Sequence, residues 1–219
     1  DWFSRKLGKS MYCTDDASVH TIGDGKPDEG EMSPKNLQTT TITDELRMQT
    51  NFKGKVLGIS LKDRGAILPA GHFANWAFWY SNTGAFISSS FYGEKLPEWV
   101  SKFNNEKHYM PYINKGWDLF KPISTYDNSL QDNNPYEGKL YGSSAPVFPY
   151  NLKEMYEKNG ASIIRSTPFG NDLLAEFAMQ TINNEELGKD NITDFLTLSF
   201  SSTDYVGHLT GPRSVETQD

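Results

Sequence analysis

Two pairs of side chains in this sequence could do chemistry. Lys62 and Arg64 lie two residues apart within Ser60-Leu61-Lys62-Asp63-Arg64-Gly65-Ala66-Ile67-Leu68-Pro69-Ala70-Gly71-His72. In extended backbone they point to the same side. A lysine and an arginine so placed can clamp a phosphoryl group, the arginine through its planar fork and the lysine as a point charge. The plainer reading is a solvated charged triplet at a strand end. The second pair is Asp204 and His208 in Ser201-Ser202-Thr203-Asp204-Tyr205-Val206-Gly207-His208. A carboxylate and an imidazole four apart, in a loop or one helical turn, can ligate one divalent metal, with Gly207 easing a tight path. The plainer alternative is a capped turn carrying a surface histidine.

Both pairs must follow strands. Lys55-Val56-Leu57-Gly58-Ile59-Ser60 is a short apolar run ending in polar residues, read as a buried strand that empties into the loop bearing Lys62. Asp194 to Phe200 reads as a second strand, with Asp204 and His208 after its carboxyl end, where open α/β sheets place ligands. Ser33-Pro34 predicts a helix start, with the helix over about 35–50. A short helical or irregular piece is expected after Pro69, and a short helix over Pro97 to Asn104. Ala77 to Tyr80 and Ala85 to Ser90, around Asn82-Thr83-Gly84, predict a β-hairpin. Leu152 to Asn159 predicts a helix capped by Gly160, Ala161 to Arg165 a strand, and Asn171 to Asn183 an amphipathic helix. Residues from Glu106 to Tyr150 show no sustained period and read as a long loop region or small cap. The expected fold class is α/β, a doubly wound, mostly parallel sheet with an accessory β-hairpin and a loop-rich insertion.

Composition narrows the function. With 219 residues, 37% hydrophobic and 13% aromatic, the chain can bury a real core. A net charge of -7 argues against a nucleic-acid or anionic membrane surface, so any anion site must be local. The single Cys13 excludes an intrachain disulfide and a cysteine-rich metal site. No apolar stretch is long enough to span a bilayer.

Over nearly its whole length the sequence resembles the alkaline phosphatase superfamily, in the type I phosphodiesterase and nucleotide pyrophosphatase branch. It is most similar to bacterial phosphate-irrepressible alkaline phosphatases. The match rests on Gly58 to His72, on Ile164-Arg165-Ser166-Thr167-Pro168-Phe169-Gly170-Asn171, and on Ser201 to His208 with Gly211-Pro212-Arg213-Ser214. Met32-Ser33-Pro34, Thr41 to Leu46 and Asn134-Pro135-Tyr136-Glu137-Gly138 add to it. The resemblance implies that Lys62 and Arg64 contact the transferred phosphoryl group and that Asp204 and His208 ligate one of two catalytic zinc ions. His72 is read as structural, and Arg165, Asn171 and Arg213 receive no catalytic role. It also implies small-molecule phosphate esters as substrates, a phospho-threonine or phospho-serine intermediate, and a periplasmic or secreted location. The family's nucleophile and first ligands precede the matched region and its remaining ligands follow it. Residues 1–219 are therefore expected to be the interior part of one catalytic domain, with 76–150 as an accessory or cap subdomain, and to be nearly inactive alone.

Rival readings are a phosphodiesterase or nucleotide pyrophosphatase of the same superfamily, and a non-catalytic carbohydrate- or anion-binding module. The module would stack its ligand on Trp76, Trp79, Tyr80, Trp99 and Trp117. A sulfatase would carry Cys-x-Pro-x-Arg at its nucleophile; this sequence lacks it, but the motif is expected upstream of the matched region, so the lack carries little weight.

Overall fold

The structure, a computed structural model, describes residues 1–219. The chain forms two compact units, Asp1–Glu106 with Glu176–Ser199, and Lys107–Ala175 with Phe200–Asp219.

The first unit opens with a hairpin of β1 (Trp2–Ser4) and β2 (Lys9–Met11). Its main sheet has β3 (Thr21–Ile22), β4 (Val56–Ser60), β5 (Trp76–Tyr80), β6 (Phe86–Ser89) and β7 (Phe195–Ser199), ordered β3-β6-β5-β4-β7. β4 lies between β5 and β7, as its fully buried Val56, Leu57 and Ile59 require: such a run needs cover on both faces and partners on both edges. It pairs in parallel with β5 (Ile59 opposite Phe78) and with β7 (Gly58 opposite Thr197). The chain departs from β4 toward β5 and returns on the other side at β7, which makes the carboxyl end of β4 a topological switch point.

The α/β class is as expected, with two differences. β5 pairs antiparallel with β6, and β6 with β3, so the sheet is mixed rather than mostly parallel. The hairpin expected to be accessory belongs to the main sheet: Ala77, Phe78, Trp79 and Tyr80 are all buried, so β5 has no face to offer solvent. Phe86 stacks on Phe177 with ring centroids 3.8 Å apart, and Phe78 meets the same ring edge-on at 5.6 Å. The five aromatics of the binding-module reading pack inward or bond the protein itself. Trp79, Tyr80 and Trp117 are at most 3% exposed, Trp76 stacks on Phe78, and the Trp99 indole donates to Glu185.

Helix α1 (Ile42–Gln49) is shorter than predicted. Ser33 and Pro34 start only a 3-10 turn, Pro34–Asn36, which ends as Leu37 turns extended, and the true start is a capping box between Thr41 and Asp44. Helix α2 (Asp63–Ala70) begins earlier than predicted and packs on β4 through Ala66, Ile67 and Ala70. A Cβ on Gly58 would lie 2.0 Å from the Ala66 carbonyl oxygen, so strand and helix backbones touch where only glycine fits. Helix α3 (Glu98–Glu106) completes the predicted elements of this unit.

Asp44 is fully buried and ties three segments together. It accepts the backbone N–H groups of Thr41 (2.9 Å) and Phe73 (2.9 Å), and its Oδ2 lies 3.1 Å from His72 Nδ1. His72 Nε2 faces the Leu37 carbonyl at 2.9 Å, so this histidine is engaged within the scaffold. Burial alone would push the Asp44 carboxyl up, but the hydrogen bonds from Thr41, His72 and Phe73 hold it below the usual carboxylate range.

In the second unit are α4 (Met110–Lys115), α5 (Leu152–Asn159), α7 (Ser202–Thr210) and α8 (Val215–Gln218), while α6 (Pro168–Asn184) contributes to both units. The α5 boundaries match the prediction, and Gly160 takes φ 73°. Ala161–Ser166 is a 3-10 helix and not the predicted strand. Ala161, Ile163, Ile164 and Ser166 are buried while Ser162 and Arg165 are less so, a period of three that suits a 3-10 helix. Trp117 and Tyr150 exchange backbone hydrogen bonds of 3.0 and 2.9 Å, and the Tyr150 hydroxyl donates to the buried Glu216.

Two outcomes follow for stability. Gly58→Ala should cost about 3 kcal/mol, the upper range for overpacking, seen as a lowered urea midpoint; an unchanged midpoint would contradict the backbone contact. Because Asp44 is shifted down, its contribution is present above the ordinary carboxylate pKa, 3.8, and is lost as pH falls through the lower folded value. Asp44→Asn should lower the urea midpoint at pH 7 and flatten its decline below pH ~4.

Candidate active site

The candidate phosphoryl-binding residues sit where β4 runs into α2. The Ser60 hydroxyl donates to the Ser199 carbonyl at 3.1 Å and accepts the Lys62 backbone N–H at 3.1 Å, which pins the turn at the switch point. Lys62 is the N-cap of α2, still extended at φ −118° and ψ 135°, and Arg64 is already helical. The same-side argument for extended backbone therefore does not apply. Instead both cations flank a helix N-terminus, whose backbone N–H groups and dipole favour anions. Lys62 is half-buried and Arg64 exposed.

Arg64 is held by residues that its local sequence does not announce. Its Nη1 donates to the Tyr12 hydroxyl oxygen at 2.9 Å, and its guanidinium carbon lies 5.9 Å from the centre of that ring. Tyr12 donates onward to Asp63 Oδ1 at 2.7 Å, and the buried Thr14 donates to Asp63 Oδ2 at 2.8 Å. The bond to Tyr12 raises the Arg64 pKa against the opposing effect of partial burial, so the guanidinium stays charged. Tyr12 and Thr14 lie 51 and 49 residues from Asp63, and only a contact across the fold could reveal them.

Asp204 and His208 lie on α7, in the other unit. The loop or single turn expected at 201–208 is a nine-residue helix. Ser202, Val206 and Thr210 face inward and are buried, so Asp204 and His208 share the outward face. His208 Nε2 lies 3.4 Å from Asp204 Oδ1, with the side chains 79% and 51% exposed. The helix start is steadied by Asn171 of α6, whose Oδ1 accepts the Ser202 backbone N–H at 3.3 Å. Arg213 contributes its carbonyl to Leu130 at 2.7 Å.

An oxygen and an imidazole nitrogen one turn apart are a donor set zinc accepts, and their exposure leaves room for further ligands. They are half of a tetrahedral set: no group of three or more His, Cys, Asp or Glu in this chain could hold a metal ion.

Known proteins align with this chain along its whole length. The sequence is 49% identical over 220 residues to the alkaline phosphatase PhoV of Synechococcus elongatus, covering 100% of this chain and 40% of PhoV. It is 47% identical over 222 residues to the alkaline phosphatase PafA of Elizabethkingia meningoseptica, again covering 100% of this chain and 40% of the relative. The crystal structure of wild type alkaline phosphatase PafA superposes with a TM-score of 0.95 at 46% identity, over 100% of this chain and 42% of that one. The chain thus spans about two fifths of the relatives it matches. The alkaline-phosphatase-like α/β fold is the one that the superposition finds. With the family profile matching residues 1–219 from end to end, this chain belongs to the type I phosphodiesterase / nucleotide pyrophosphatase family.

Proposed function

We propose that the full-length protein containing this chain is a phosphate monoester hydrolase, in which Lys62 and Arg64 hold the transferred phosphoryl group. The observation that carries this reading is the charged Arg64, fixed beside Lys62 at the amino end of α2 and the carboxyl end of β4. Similarity to two alkaline phosphatases across the whole chain supports it. Arg64 presents planar donors to two phosphoryl oxygens, Lys62 adds a compact charge, and both lower the energy of charge on those oxygens in the transition state. Neither residue needs to gain or lose a proton, so their role is to bind, orient and neutralise. In this reading Asp204 and His208 are two ligands of one of two zinc ions, and the other ligands and the threonine or serine nucleophile come from outside residues 1–219. Zinc bound there would supply positive charge for the attacking and leaving oxygens. A periplasmic or secreted location belongs to the same reading, and no helix is long and apolar enough to cross a membrane.

The family's description, phosphodiesterase and nucleotide pyrophosphatase, favours a second reading in which the substrate is a diester. The cation pair argues for the monoester, which offers one more charged oxygen than a diester does.

Two measurements bear on this. In the zinc-loaded full-length enzyme, Lys62→Ala and Arg64→Ala should each lower kcat/KM for an aryl phosphate monoester by about a hundredfold, with a smaller loss on the matching methyl phosphodiester. Preference for the diester, with both variants indifferent, would move the assignment to the second reading. For residues 1–219 alone, dialysis against trace zinc should leave far less than one zinc per chain, because two ligands do not make a tight site. Stoichiometric zinc would show that the remaining ligands are already present.

A further inference from the structure

The contacts around Arg64 go further than its charge. We infer that Tyr12 is the positioning residue for Arg64, tethering its guanidinium through the phenol to the Asp63 carboxylate and keeping it turned toward an oxyanion. The inference rests on the reading of Arg64 as a phosphoryl-binding group.

The direction of every hydrogen bond here is fixed by chemistry. A guanidinium only donates, so the Tyr12 oxygen must accept from Arg64 Nη1 (2.9 Å). The phenol's own proton is then committed to Asp63 Oδ1 (2.7 Å). Asp63 Oδ2 is taken by Thr14 (2.8 Å), which leaves the carboxylate one donor on each oxygen. Burial first, and the Asp63 bond next, push the Tyr12 phenol up to about 12, so it keeps its proton well into alkaline solution.

The phenol bonds two groups of opposite charge whose side chains, at adjacent helical positions, do not face each other directly. Arg64 and Asp63 are sequence neighbours of opposite charge at the start of one helix. With the phenol interposed, the Nη1 side of the fork is occupied, and the Nε and Nη2 donors remain for phosphoryl oxygens. The backbone that carries Tyr12 is tied to its neighbours. Its carbonyl accepts from the Asn36 amide (3.4 Å), and the Thr14 carbonyl accepts the Ser33 N–H (2.8 Å). A side chain carried on backbone that is tied in this way, with its hydroxyl bonded to Asp63, can orient another without touching substrate.

The test uses the full-length zinc enzyme, an aryl phosphate monoester and the matching methyl phosphodiester. Tyr12→Phe removes one oxygen and keeps the ring against Arg64. It should lower monoester kcat/KM by about tenfold, the scale of one hydrogen bond to a charged group, and change the diester much less. In an Arg64→Ala background the same substitution should have almost no further effect. Thr14→Val, which loosens Asp63 from its far side, should give a smaller loss of the same kind. It serves as the second variant should Tyr12→Phe lose zinc or fold. Equal losses on both substrates, an undiminished loss in the Arg64→Ala background, or no loss at all would overturn the inference. If Arg64→Ala itself leaves monoester turnover unchanged, the phosphoryl-clamp reading fails and takes this inference with it. If Arg64→Ala is costly and Tyr12→Phe is silent, this inference fails alone.

Discussion

The first unit depends on one close contact, the backbone of β4 against the backbone of α2 at Gly58 and Ala66. A helix and a strand usually meet through side chains. Here the missing Cβ of Gly58 lets the Ala66 carbonyl approach to a distance that any larger residue would occupy. The contact holds the start of α2 hard against the end of β4, and the residues at that corner, Leu61 to Gly65, inherit their directions from it. Leu61 is buried, which anchors the corner inward and leaves Lys62 and Arg64 to turn outward.

Three aspartates of the first unit have their charge met by several protein donors. Asp16, Asp44 and Asp63 each accept from two or more protein donors, and each ties distant segments together. Asp16 draws Ser18, Ser33 and Lys35 around it, and those bonds override its burial to hold its carboxyl below the usual range. The second unit behaves otherwise. Burial pushes Asp132 and Glu137 up, Glu137 also feels the nearby Glu216 and Asp132, and Tyr150 is raised by burial and by its bond to Glu216. A fully ionised acidic group of this kind is costly at low dielectric, so raised carboxyl pKa values are the expected response. The same residue type is thus driven in opposite directions by the number of donors aimed at it.

The sequence by itself determined the α/β class, the strands at 56–60 and 195–199, the helix 152–159 and the two pairs of candidate residues, because these are written in short-range pattern. An unbroken apolar run, a helical spacing or a capping glycine acts over a few residues and survives whatever packs around it. Resemblance across three ordered segments pointed to the family, and the match of the family profile along the whole chain agrees with it.

Tertiary structure alone decided the rest. Strand pairing placed β5 in the main sheet, since whether a hairpin is accessory depends on a neighbouring strand earlier in the chain, β4, and not on its turn. The local extended reading of Lys62 and Arg64 gave way to a helix that starts at Asp63 and buries Ala66, Ile67 and Ala70 against the sheet. Asp204 and His208 came onto one face only once the buried stripe Ser202, Val206 and Thr210 made the segment a full helix. Tyr12 and Thr14 were invisible for the most general reason: a hydrogen bond between residues some fifty positions apart leaves no mark on either local pattern.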